Sequence, residues 1–348
     1  MRIKHLGRPF WRLLLSNTYV KLDAEHAYSD PVQSQWAFKS HYQKYVLPHV
    51  NAFEEARLQT LKEYRSRLLL VMPALLVMFT ILGMFVYETG KFDDSYIFLI
   101  FGAIALCSWW AYAPVKAYKT QVKAKVFPDI FRYFGKAFKY QISCPFSVED
   151  YNAFGLIPYH THEKNEDYIE GSYKGVGIKL FESYLTKKSG SGKNRRTVVV
   201  FRGMFLELTM NKDFKGKTLV QRNVGKLLGW MTDKFDGQDM QAVHLEDPEF
   251  ERQFTVRSTN QVEARYLLTT SFMGRLKQLS DLFGGERIEC SFYQKKVLFK
   301  VHSDKNRFET SSVYVPATFE QDIHDILTEM HIIFEMIEHL KLHEETRL

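Results

Sequence analysis

Residues 68–87 read LLLVMPALLVMFTILGMFVY, and residues 96–115 read YIFLIFGAIALCSWWAYAPV. Neither stretch contains a charged residue, and each has the length that an α-helix needs to cross ~30 Å of hydrocarbon. Core helices of soluble proteins are also apolar, but two uncharged runs of this length so close together are not typical of them. We therefore predict a transmembrane hairpin over residues 68–115, with a short connecting loop at residues 88–95.

The charges around the two spans predict which way the hairpin faces. The loop, ETGKFDDS, has one lysine against three acidic residues. Because cytoplasmic flanks carry an excess of Lys and Arg, both termini are expected in the cytoplasm and the loop outside. The cysteines Cys107, Cys144 and Cys290 form no CxxC or paired pattern, which agrees with a reducing compartment. The basic residues that flank the two spans are Arg57, Lys62, Arg65, Arg67, Lys116, Lys119, Lys123 and Lys125.

The overall composition narrows the class of protein only a little. The chain has 348 residues, of which 45% are hydrophobic and 25% are charged, and its formal net charge is +7. Those values fit one or two domains with sizeable cores. Positive charge alone does not predict nucleic-acid binding. The sequence has no basic–aromatic recognition motif, so no nucleic-acid partner is expected.

Helical segments are expected on both sides of the hairpin. Residues 1–67 are predicted to form an N-terminal cytoplasmic helical segment, which Pro48 interrupts with a kink or a break. Residues 116–143 are predicted to form a juxtamembrane basic helix that restarts at Pro128. The basic residues of this helix could bind anionic lipid headgroups, or the helix could simply pack on residues 31–67.

Residues 144–310 are predicted to form a cytoplasmic α+β domain that is mainly antiparallel sheet. A turn is expected at residues 211–217, and a hairpin is expected around Gln294 and Lys295. Capping residues predict short helices at residues 147–154, at residues 247–254 with Asp247 as cap, and at residues 271–283 with Thr270 as cap. Runs of β-branched and aromatic residues predict strands at 168–170, 177–185, 197–210 and 218–221.

The C-terminal segment, residues 319–342, is predicted to form an amphipathic helix with apolar residues at heptad spacing. About three heptads are marginal for a free coiled coil. The apolar stripe therefore either packs on the chain's own flanking helices or forms the seam of a homo-oligomer. Its members are Ile323, Ile326, Met330, Ile333, Ile337 and Leu340.

A Gly-Ser-Gly-Lys sequence within residues 187–197, KKSGSGKNRRT, resembles part of a phosphate-binding loop. Such a loop needs the pattern GxxxxGK[ST] followed by a helix. Here a lysine stands where the first glycine belongs, Asn194 stands where Ser or Thr belongs, and the strand-like sequence RRTVVVFRG follows. We therefore predict a hairpin tip between two strands. Its basic residues are candidates for contact with anionic lipid or an acidic partner: Lys187, Lys188, Lys193, Arg195 and Arg196.

Catalytic and cofactor-binding patterns are not evident in the sequence. The motifs HExxH and GxSxG and a DFG-like set are absent. His160 and His162 lack a placed further ligand, and His339 and His343 fit a solvated helix face, so no metal or cofactor is predicted. We therefore do not expect an enzyme. Polar residues crowded between apolar ones form a candidate interaction face: Arg257, Asn260, Gln261, Glu263 and Arg265.

Three long stretches carry a resemblance to a known family. They are EDYIEGSYKGVGIKLFE at residues 166–182, FRGMFLELTMNKDFKGKTLV at residues 201–220, and LEDPEFERQFTVRSTNQVEARYLLTTSFMGRL at residues 245–276. Over residues 38–308 the chain resembles the bacterial membrane family called domain of unknown function 3137. The resemblance implies a bacterial inner-membrane protein with a helical lead-in, two spans and a cytoplasmic domain. It implies no catalytic residues, and it implies LemA-type membrane proteins as candidate partners.

Different classes of function stay open at the level of sequence. We favour a scaffold or interaction module that is anchored in the membrane and recruits a partner through the domain or the terminal helix. An enzyme acting at the membrane surface is the alternative, and it would need convergent titratable groups in a pocket. A subunit of an oligomeric pore or transporter is a weaker alternative, since neither span carries a charge that would mark an ion pathway.

Overall fold

The structure is a computed structural model that describes residues 38–90, 94–190, 195–223, 240–282, 287–304 and 306–339. The predicted segment before residue 38 lies outside the described residues, as do Lys193 and Leu340. The chain divides into two compact units. The first consists of Met1–Ile130 and Thr310–His324, and the second consists of Phe131–Glu309 and Asp325–Leu348.

Among the described residues, the first element of the first unit is a long helix, α1, over Phe38–Thr89. The interruption predicted at Pro48 takes the form of a π-helical turn, Tyr42–Val46, after which α-helix resumes at Leu47. A proline lacks the N–H that would continue the hydrogen-bond ladder. The wider π turn accommodates that loss without ending the helix. At the other end Gly90 adopts a left-handed conformation (φ 62°), and its N–H bonds to the carbonyl oxygen of Val86.

The second long helix, α2, covers Asp94–Lys125 and is followed by α3 at Phe127–Phe131 and a 3₁₀ turn at Arg132–Phe134. The restart predicted at Pro128 is thus confirmed. The predicted helix over residues 116–143 is wrong at its end, however, because Lys139–Ser143 forms the first strand of the sheet. The helix stops where Gly135 takes a positive φ of 138°, which an L side chain rarely adopts.

The two long helices are apolar enough and long enough to cross a membrane, within α1 and within the helical stretch Ser95–Phe134. Only 6% of each apolar window is buried. A core helix of a soluble protein would instead bury most of such a window. The exposed side chains include Leu70, Leu76, Ile81, Met84, Phe98, Phe101, Leu106 and Trp109.

The core of the first unit lies at the other end of α1. One face of that helix is buried from Phe38 to Leu61, before the first apolar window, and the helical residues after the second apolar window contribute to the same core. A chain segment from much later in the sequence completes it. The ring of Phe319 meets the ring of Phe53 edge-on, with centroids 5.7 Å apart, and the Tyr42 hydroxyl donates to the carbonyl oxygen of Thr318 at 3.1 Å. The buried apolar residues are Phe38, Tyr42, Val46, Val50, Phe53, Leu61, Tyr118, Val122, Val126, Phe127, Ile130, Val313, Ala317, Phe319 and Ile323.

The second unit is built on an antiparallel sheet, which confirms the predicted α+β class. Within the described residues the sheet has seven strands in the order β1-β2-β3-β4-β6-β5, and β7 also pairs with β4. Their bounds are β1 Lys139–Ser143, β2 His162–Tyr173, β3 Val176–Ser189, β4 Arg196–Arg222, β5 Gln241–Ala242, β6 Phe254–Ser258 and β7 Ile288–His302.

Two turns predicted within the sheet are wrong. The predicted turn at residues 211–217 lies inside the continuous strand β4, and the predicted hairpin around Gln294 lies inside the continuous strand β7. Both halves of β7 pair with β4, so there is no reversal of direction between them. The polar residues instead mark register shifts between Thr209, Phe214 and Thr218, and Gln294 takes a positive φ of 54°. Polar runs of this kind are typical of both turns and β-bulges, and pairing decides between them.

A 3₁₀ helix, Val148–Phe154, packs on the main core of the second unit. It occupies the segment predicted to be helical, and Ser147 caps its start by accepting from the N–H of Glu149. The core combines aromatic side chains of this helix with apolar side chains from the middle of the sheet. Its fully buried members are Val148, Tyr151, Phe154, Leu156, Tyr168, Phe181, Leu185, Phe201, Phe205, Leu219 and Leu298.

The remaining helices in the described part of the chain are α4 at Pro248–Gln253, α5 at Gln261–Leu267, α6 at Thr270–Leu282 and α7 at Glu320–His339. The cap predicted at Asp247 is confirmed, since its side chain accepts from the N–H groups of Glu249 and Phe250. The cap predicted for α6 is displaced by one residue. The N–H of Phe272 donates to the hydroxyl of Thr269 rather than to Thr270.

Candidate functional site

The stretch that resembled a phosphate-binding loop connects two paired strands. Strands β3 and β4 remain paired to Ser189–Arg196, with one register shift between Leu185 and Thr186, and a strand, not a helix, follows the loop. A phosphate-binding loop needs a helix N-terminus at that point, so the structure excludes this interpretation. Lys188, Arg195 and Arg196 are exposed and Lys187 is half-exposed, whereas Lys193 lies outside the described residues.

The polar residues predicted to form an interaction face mostly support the local fold. The side chain of Asn260 caps α5 by accepting from the N–H of Glu263 at 3.1 Å. Glu263 is buried, and its carboxylate accepts from the N–H groups of Lys215 and Gly216 at 2.9 and 2.7 Å. A Cβ atom on Gly216 would lie 2.7 Å from that of Asn260, so the strand and the start of α5 are in direct contact. These residues therefore hold α5 on β4.

The exposed side of α5 carries different residues. Val262 and Tyr266 are 63% and 64% exposed, one turn apart, and Arg265 between them is exposed as well. Lys215, whose backbone bonds to Glu263, is also exposed. We call Lys215, Val262, Arg265 and Tyr266 the α5 patch. The sequence analysis did not identify the two apolar members. Their i, i+4 spacing places them on the same side of the helix, and Glu263 lies on the buried side.

The other members of the predicted face have modest roles. The side-chain amide of Gln261 donates to the side-chain oxygen of Gln241 at 2.6 Å, which joins α5 to β5. Arg257 lies on β6 and is half-exposed. The five predicted residues are therefore close together in the fold, but only Arg265 among them belongs to the α5 patch.

The apolar stripe of the C-terminal helix does not form an exposed seam. Ile323, Ile326, Met330, Ile333 and Ile337 are each at most 1% exposed within a single chain. In the second unit, α7 packs its Phe334 ring against the rings of Tyr173, Phe134 and Phe138, with centroids 4.3, 5.5 and 6.0 Å apart. The interpretation as an oligomer seam is corrected accordingly, because burial within the chain leaves these side chains no surface to offer. Leu340 lies outside the described residues.

Histidines near the sheet edge do not gather metal ligands. Nδ1 of His160 lies 3.0 Å from the carbonyl oxygen of Pro158, and its Nε2 lies 3.8 Å from Glu163. Glu163 also accepts from the N–H of Val148, and His162 is exposed. Among residues 38–339, apart from the undescribed gaps, no group of three or more His, Cys, Asp or Glu side chains could hold a metal ion.

A buried ion pair in the first unit was not predicted. The guanidinium of Arg57, which is 1% exposed, donates to both carboxylate oxygens of Glu54 at 2.8 and 2.6 Å. The pair also binds the returning segment: Arg57 donates to the carbonyl oxygen of Val313 at 3.0 Å, and Glu54 accepts from the N–H of Ala317 at 2.9 Å. Nearby, Asp322 accepts from the N–H and the hydroxyl of Ser311. We call residues 310–319 the strap.

A small cavity of ≈ 10 Å³ lies under the strap. Its lining includes Tyr118, Ser312 and the buried Thr310, whose hydroxyl has no hydrogen-bond partner within the described part of the chain. A cavity of this size holds about one water molecule. Burial raises the pKa of Tyr118, so its hydroxyl stays protonated beside this space. The cavity is too small for an organic ligand.

A second buried carboxylate, Glu207 on β4, joins the sheet to the 3₁₀ helix. It is 2% exposed and binds the Lys296 ammonium at 3.1 Å and the Thr209 hydroxyl at 3.3 Å. The Tyr151 hydroxyl bonds to it as well, and burial together with Glu207 raises the pKa of Tyr151. Tyr151 thus remains a protonated donor. These contacts compensate the buried charge and anchor the 3₁₀ helix on the sheet.

Further along the sheet, the buried Lys300 and the half-buried Glu289 form an ion pair at 2.7 Å. The His302 ring meets the Phe201 ring edge-on, with centroids 4.9 Å apart. Burial, followed by the charge of Lys300, lowers the pKa of His302 to about 4. The imidazole is therefore neutral at physiological pH. Cys144 is also inert, because burial raises the pKa of its thiol to about 11.

The fold defines the class of this protein: an antiparallel α+β structure in a chain that also has two helices apolar enough to cross a membrane. Residues 199–342 match the family model described as Protein of unknown function (DUF3137). This match confirms the resemblance to domain of unknown function 3137 over that part of the chain.

The other comparisons add little. No curated protein matches the chain. Among solved structures, the crystal structure of the mycobacterial trehalose monomycolate transport factor A, TtfA, is similar at 10% sequence identity, with a TM-score of 0.32. The similarity covers 58% of this chain and 88% of that one. At that TM-score it supports no conclusion about fold or function.

Proposed function

We propose that this protein is a membrane-anchored interaction module, held in a bacterial inner membrane by α1 and α2 with its α+β part on the cytoplasmic side. The observation that carries the proposal is the exposure of both apolar windows, only 6% of which is buried. Exposed apolar surface of this extent is stable only in hydrocarbon or against another apolar surface. A lipid bilayer provides that environment along the full length of both windows.

The contacts at one end of the windows agree with the proposed orientation. Arg67 precedes the first apolar run, and its guanidinium donates to the carbonyl oxygen of Trp110 at 2.8 Å and lies 4.9 Å from the Trp110 ring centroid. Trp and Arg together are typical of a membrane–water interface. The Lys residues that follow the second run support a cytoplasmic location for this end.

Thiol labelling in spheroplasts tests the orientation. Thr89→Cys lies at the end of α1 next to the loop, and Thr120→Cys lies in α2 beyond the second run; both positions are exposed. In a background with Cys107→Ser and Cys144→Ser, a membrane-impermeant maleimide should label Thr89→Cys in intact spheroplasts and Thr120→Cys only after lysis. The reverse pattern would contradict the proposed orientation, and labelling of both in intact cells would contradict the hairpin.

The α5 patch supports the interaction role. It combines two exposed apolar side chains, Val262 and Tyr266, with the cations Lys215 and Arg265. Apolar and aromatic groups beside arginine are typical of protein-binding surfaces. The partner that fits this surface is a protein with an apolar group bordered by carboxylates.

Purification of the full chain from its own membranes in mild detergent tests this role. A partner should co-purify with the wild type and be lost with the double variant Val262→Ser, Tyr266→Ser. The matched control is Tyr159→Ser, which removes a tyrosine that is 77% exposed elsewhere on the chain. Equal recovery of the partner from all three proteins, or a monodisperse monomer from the wild type, would contradict the proposed role.

A further inference from the structure

Strands β3 and β4 extend beyond their neighbours in the sheet. The last pair between β2 and β3 is His162 with Thr186, and the last pair between β7 and β4 is His302 with Gly203. The carbonyl oxygen of Arg202 still accepts from the N–H of Ser303, and past Thr186 and Arg202 the described residues of β3 and β4 pair only with each other, to Ser189 and Arg196. At ~3.3 Å per residue, the β4 side of this ribbon projects on the order of 20 Å past its last β7 partner.

The end of this ribbon is strongly cationic. The sequence from Ser183 to Arg202 contains no Asp or Glu. Lys187, Lys188, Arg195 and Arg196 form no ion pair or hydrogen bond through their side chains within the part of the chain that the structure describes. We call residues 187–189 together with 195–200 the basic arm. No group in the described part of the protein therefore neutralises the positive charge of the basic arm.

Apolar side chains lie directly behind the cations of the basic arm. Val199 is 48% exposed, Val198 and Val200 are half-exposed, and Tyr184 on the paired strand is 40% exposed. Because successive strand residues point to opposite faces, the three valines make both faces of the ribbon apolar. An isolated two-stranded ribbon is only marginally stable in water. Contact with a surface that is anionic outside and apolar beneath would stabilise it.

We propose that the basic arm inserts into the headgroup layer of an anionic lipid surface, an inference that rests on the proposed membrane anchoring of the chain. Lys and Arg near such a surface are attracted to phosphate headgroups, and Val and Tyr side chains occupy the boundary between headgroups and acyl chains. An acidic protein would match the cations alone. The exposed apolar residues on both faces of the ribbon favour lipid.

The test uses the full chain in nanodiscs. An environment-sensitive fluorophore is attached to Thr197→Cys, an exposed position in the basic arm, in the Cys107→Ser, Cys144→Ser background. Spin-labelled lipids report contact by quenching, in nanodiscs of phosphatidylcholine alone or with phosphatidylglycerol. We expect several-fold stronger quenching in the anionic nanodiscs, and loss of that increase at high salt, because salt screens exposed charges.

Two variants with the same net charge separate the arm from the charge of the whole protein. Replacing Lys187, Lys188, Arg195 and Arg196 by Ser should abolish the increase in quenching. The matched control replaces four exposed cations elsewhere, Lys39, Lys44, Arg252 and Lys295, by Ser and should keep it. Val199→Ser should reduce the quenching without abolishing it, because it removes apolar contact but no charge.

Several results would overturn the inference. Equal quenching in both nanodiscs, or equal loss of quenching in the two Ser variants, would show that the basic arm does not select anionic lipid. A photo-crosslinker at the same position that captures an acidic protein in native membranes, without quenching in nanodiscs, would assign the arm to a protein partner. A chain that fails to enter nanodiscs would count against membrane anchoring itself, whereas an inserted chain with an unquenched arm contradicts this inference alone.

Discussion

In the first unit, the side chain of Arg57 carries a positive charge that is almost fully buried. Its side chain is 1% exposed, and its charge is compensated by the two oxygens of Glu54 and the carbonyl oxygen of Val313. Glu54 in turn accepts from Ala317. A buried ion pair often adds little net stability compared with apolar residues, but removal of one partner leaves the other charge buried and unpaired. The two residues therefore hold the strap in place, because their buried charges are compensated by each other and by backbone groups of the strap.

Arg57→Met should destabilise the protein by about 3–5 kcal/mol, because the Glu54 carboxylate then stays buried without the guanidinium that compensates its charge. Thermal unfolding of the full chain in detergent, followed by circular dichroism, measures the effect. Lys62→Met, at an exposed position of the same helix, should melt like the wild type. The double variant Glu54→Gln, Arg57→Met should recover part of the loss, and a single variant as stable as the wild type would contradict the assignment.

The environment of His302 predicts that the stability of the protein depends on pH. Its pKa is lowered to about 4 by burial and then by Lys300, from an ordinary value of 6.5. Between those values the unfolded chain binds a proton that the folded protein does not, so stability falls as the pH is lowered from 6.5 towards 4, by up to about 1.4 kcal/mol per pH unit. His302→Gln should melt with a shallower pH dependence in that window and an unchanged one above pH 7. Parallel curves for the two proteins would contradict the prediction.

Some residue roles could be predicted from the sequence and others could not. Asp247 and Ser147 were found because a helix cap is a local pattern of a few residues. The burial of Glu54, Glu207 and Glu263 was not predicted, because it depends on groups that are distant in sequence, such as Ala317 for Glu54, Lys296 for Glu207 and Gly216 for Glu263. A carboxylate looks the same in sequence whether it meets water or two backbone N–H groups. In the structure Glu54 and Arg57 lie on the buried face of α1 together with Val50, Phe53 and Leu61.

At the scale of elements, α7 combines parts of both units of the chain. Its first turn includes Asp322, which binds Ser311 of the strap. Its later turns include Glu329, which binds Arg307 through both carboxylate oxygens at 2.6 and 2.7 Å, and Phe334. The heptad pattern predicted the helix and its apolar face correctly. It could not decide what covers that face, because the same stripe suits a second copy or the chain's own core.

Ile333→Ala in α7 should reduce stability by about 2–5 kcal/mol and leave the oligomeric state unchanged, because a fully buried aliphatic side chain is truncated within one chain. Thermal unfolding gives the first quantity, and light scattering of the detergent-solubilised protein gives the second. Thr328→Ala, at an exposed position of the same helix, is the control. A change of mass with unchanged melting would restore the interpretation of the stripe as an oligomer seam.

The sheet shows the same limit of local patterns. Strand composition located β3, β4 and β7 well, since β-branched and aromatic residues dominate them. It divided β4 and β7 at their polar bulges, because a bulge and a turn use similar residues. Strand β1 was missed altogether, because Phe138 and the residues before it continued the helical spacing while β1 itself is only five residues long.

At the scale of the whole molecule, the two apolar runs and the antiparallel α+β class followed from composition and periodicity. The division of the chain into units did not. The strap at residues 310–319 follows the last strand in sequence yet belongs with the helices that begin at residue 38. The strap's own residues do not predict this return. The strap is held by hydrogen bonds to Glu54 and Arg57, which are more than half the chain away in sequence.

The exposed apolar windows make the final prediction. Leu76 and Leu106 lie within the first and second apolar runs and are 64% and 66% exposed. If these side chains face lipid, Leu76→Arg with Leu106→Arg places a charge near the middle of each span, at a cost of about 2.5–3.5 kcal/mol per residue in insertion measurements. The wild type should remain in the membrane pellet after an alkaline carbonate wash, and the double variant should be extracted or degraded. Thr120→Arg, an exposed position of α2 beyond the second run, should behave like the wild type. A double variant that remains fully in the pellet would show that these windows do not face hydrocarbon, and the membrane anchor proposed for this protein would have to be sought elsewhere in the chain.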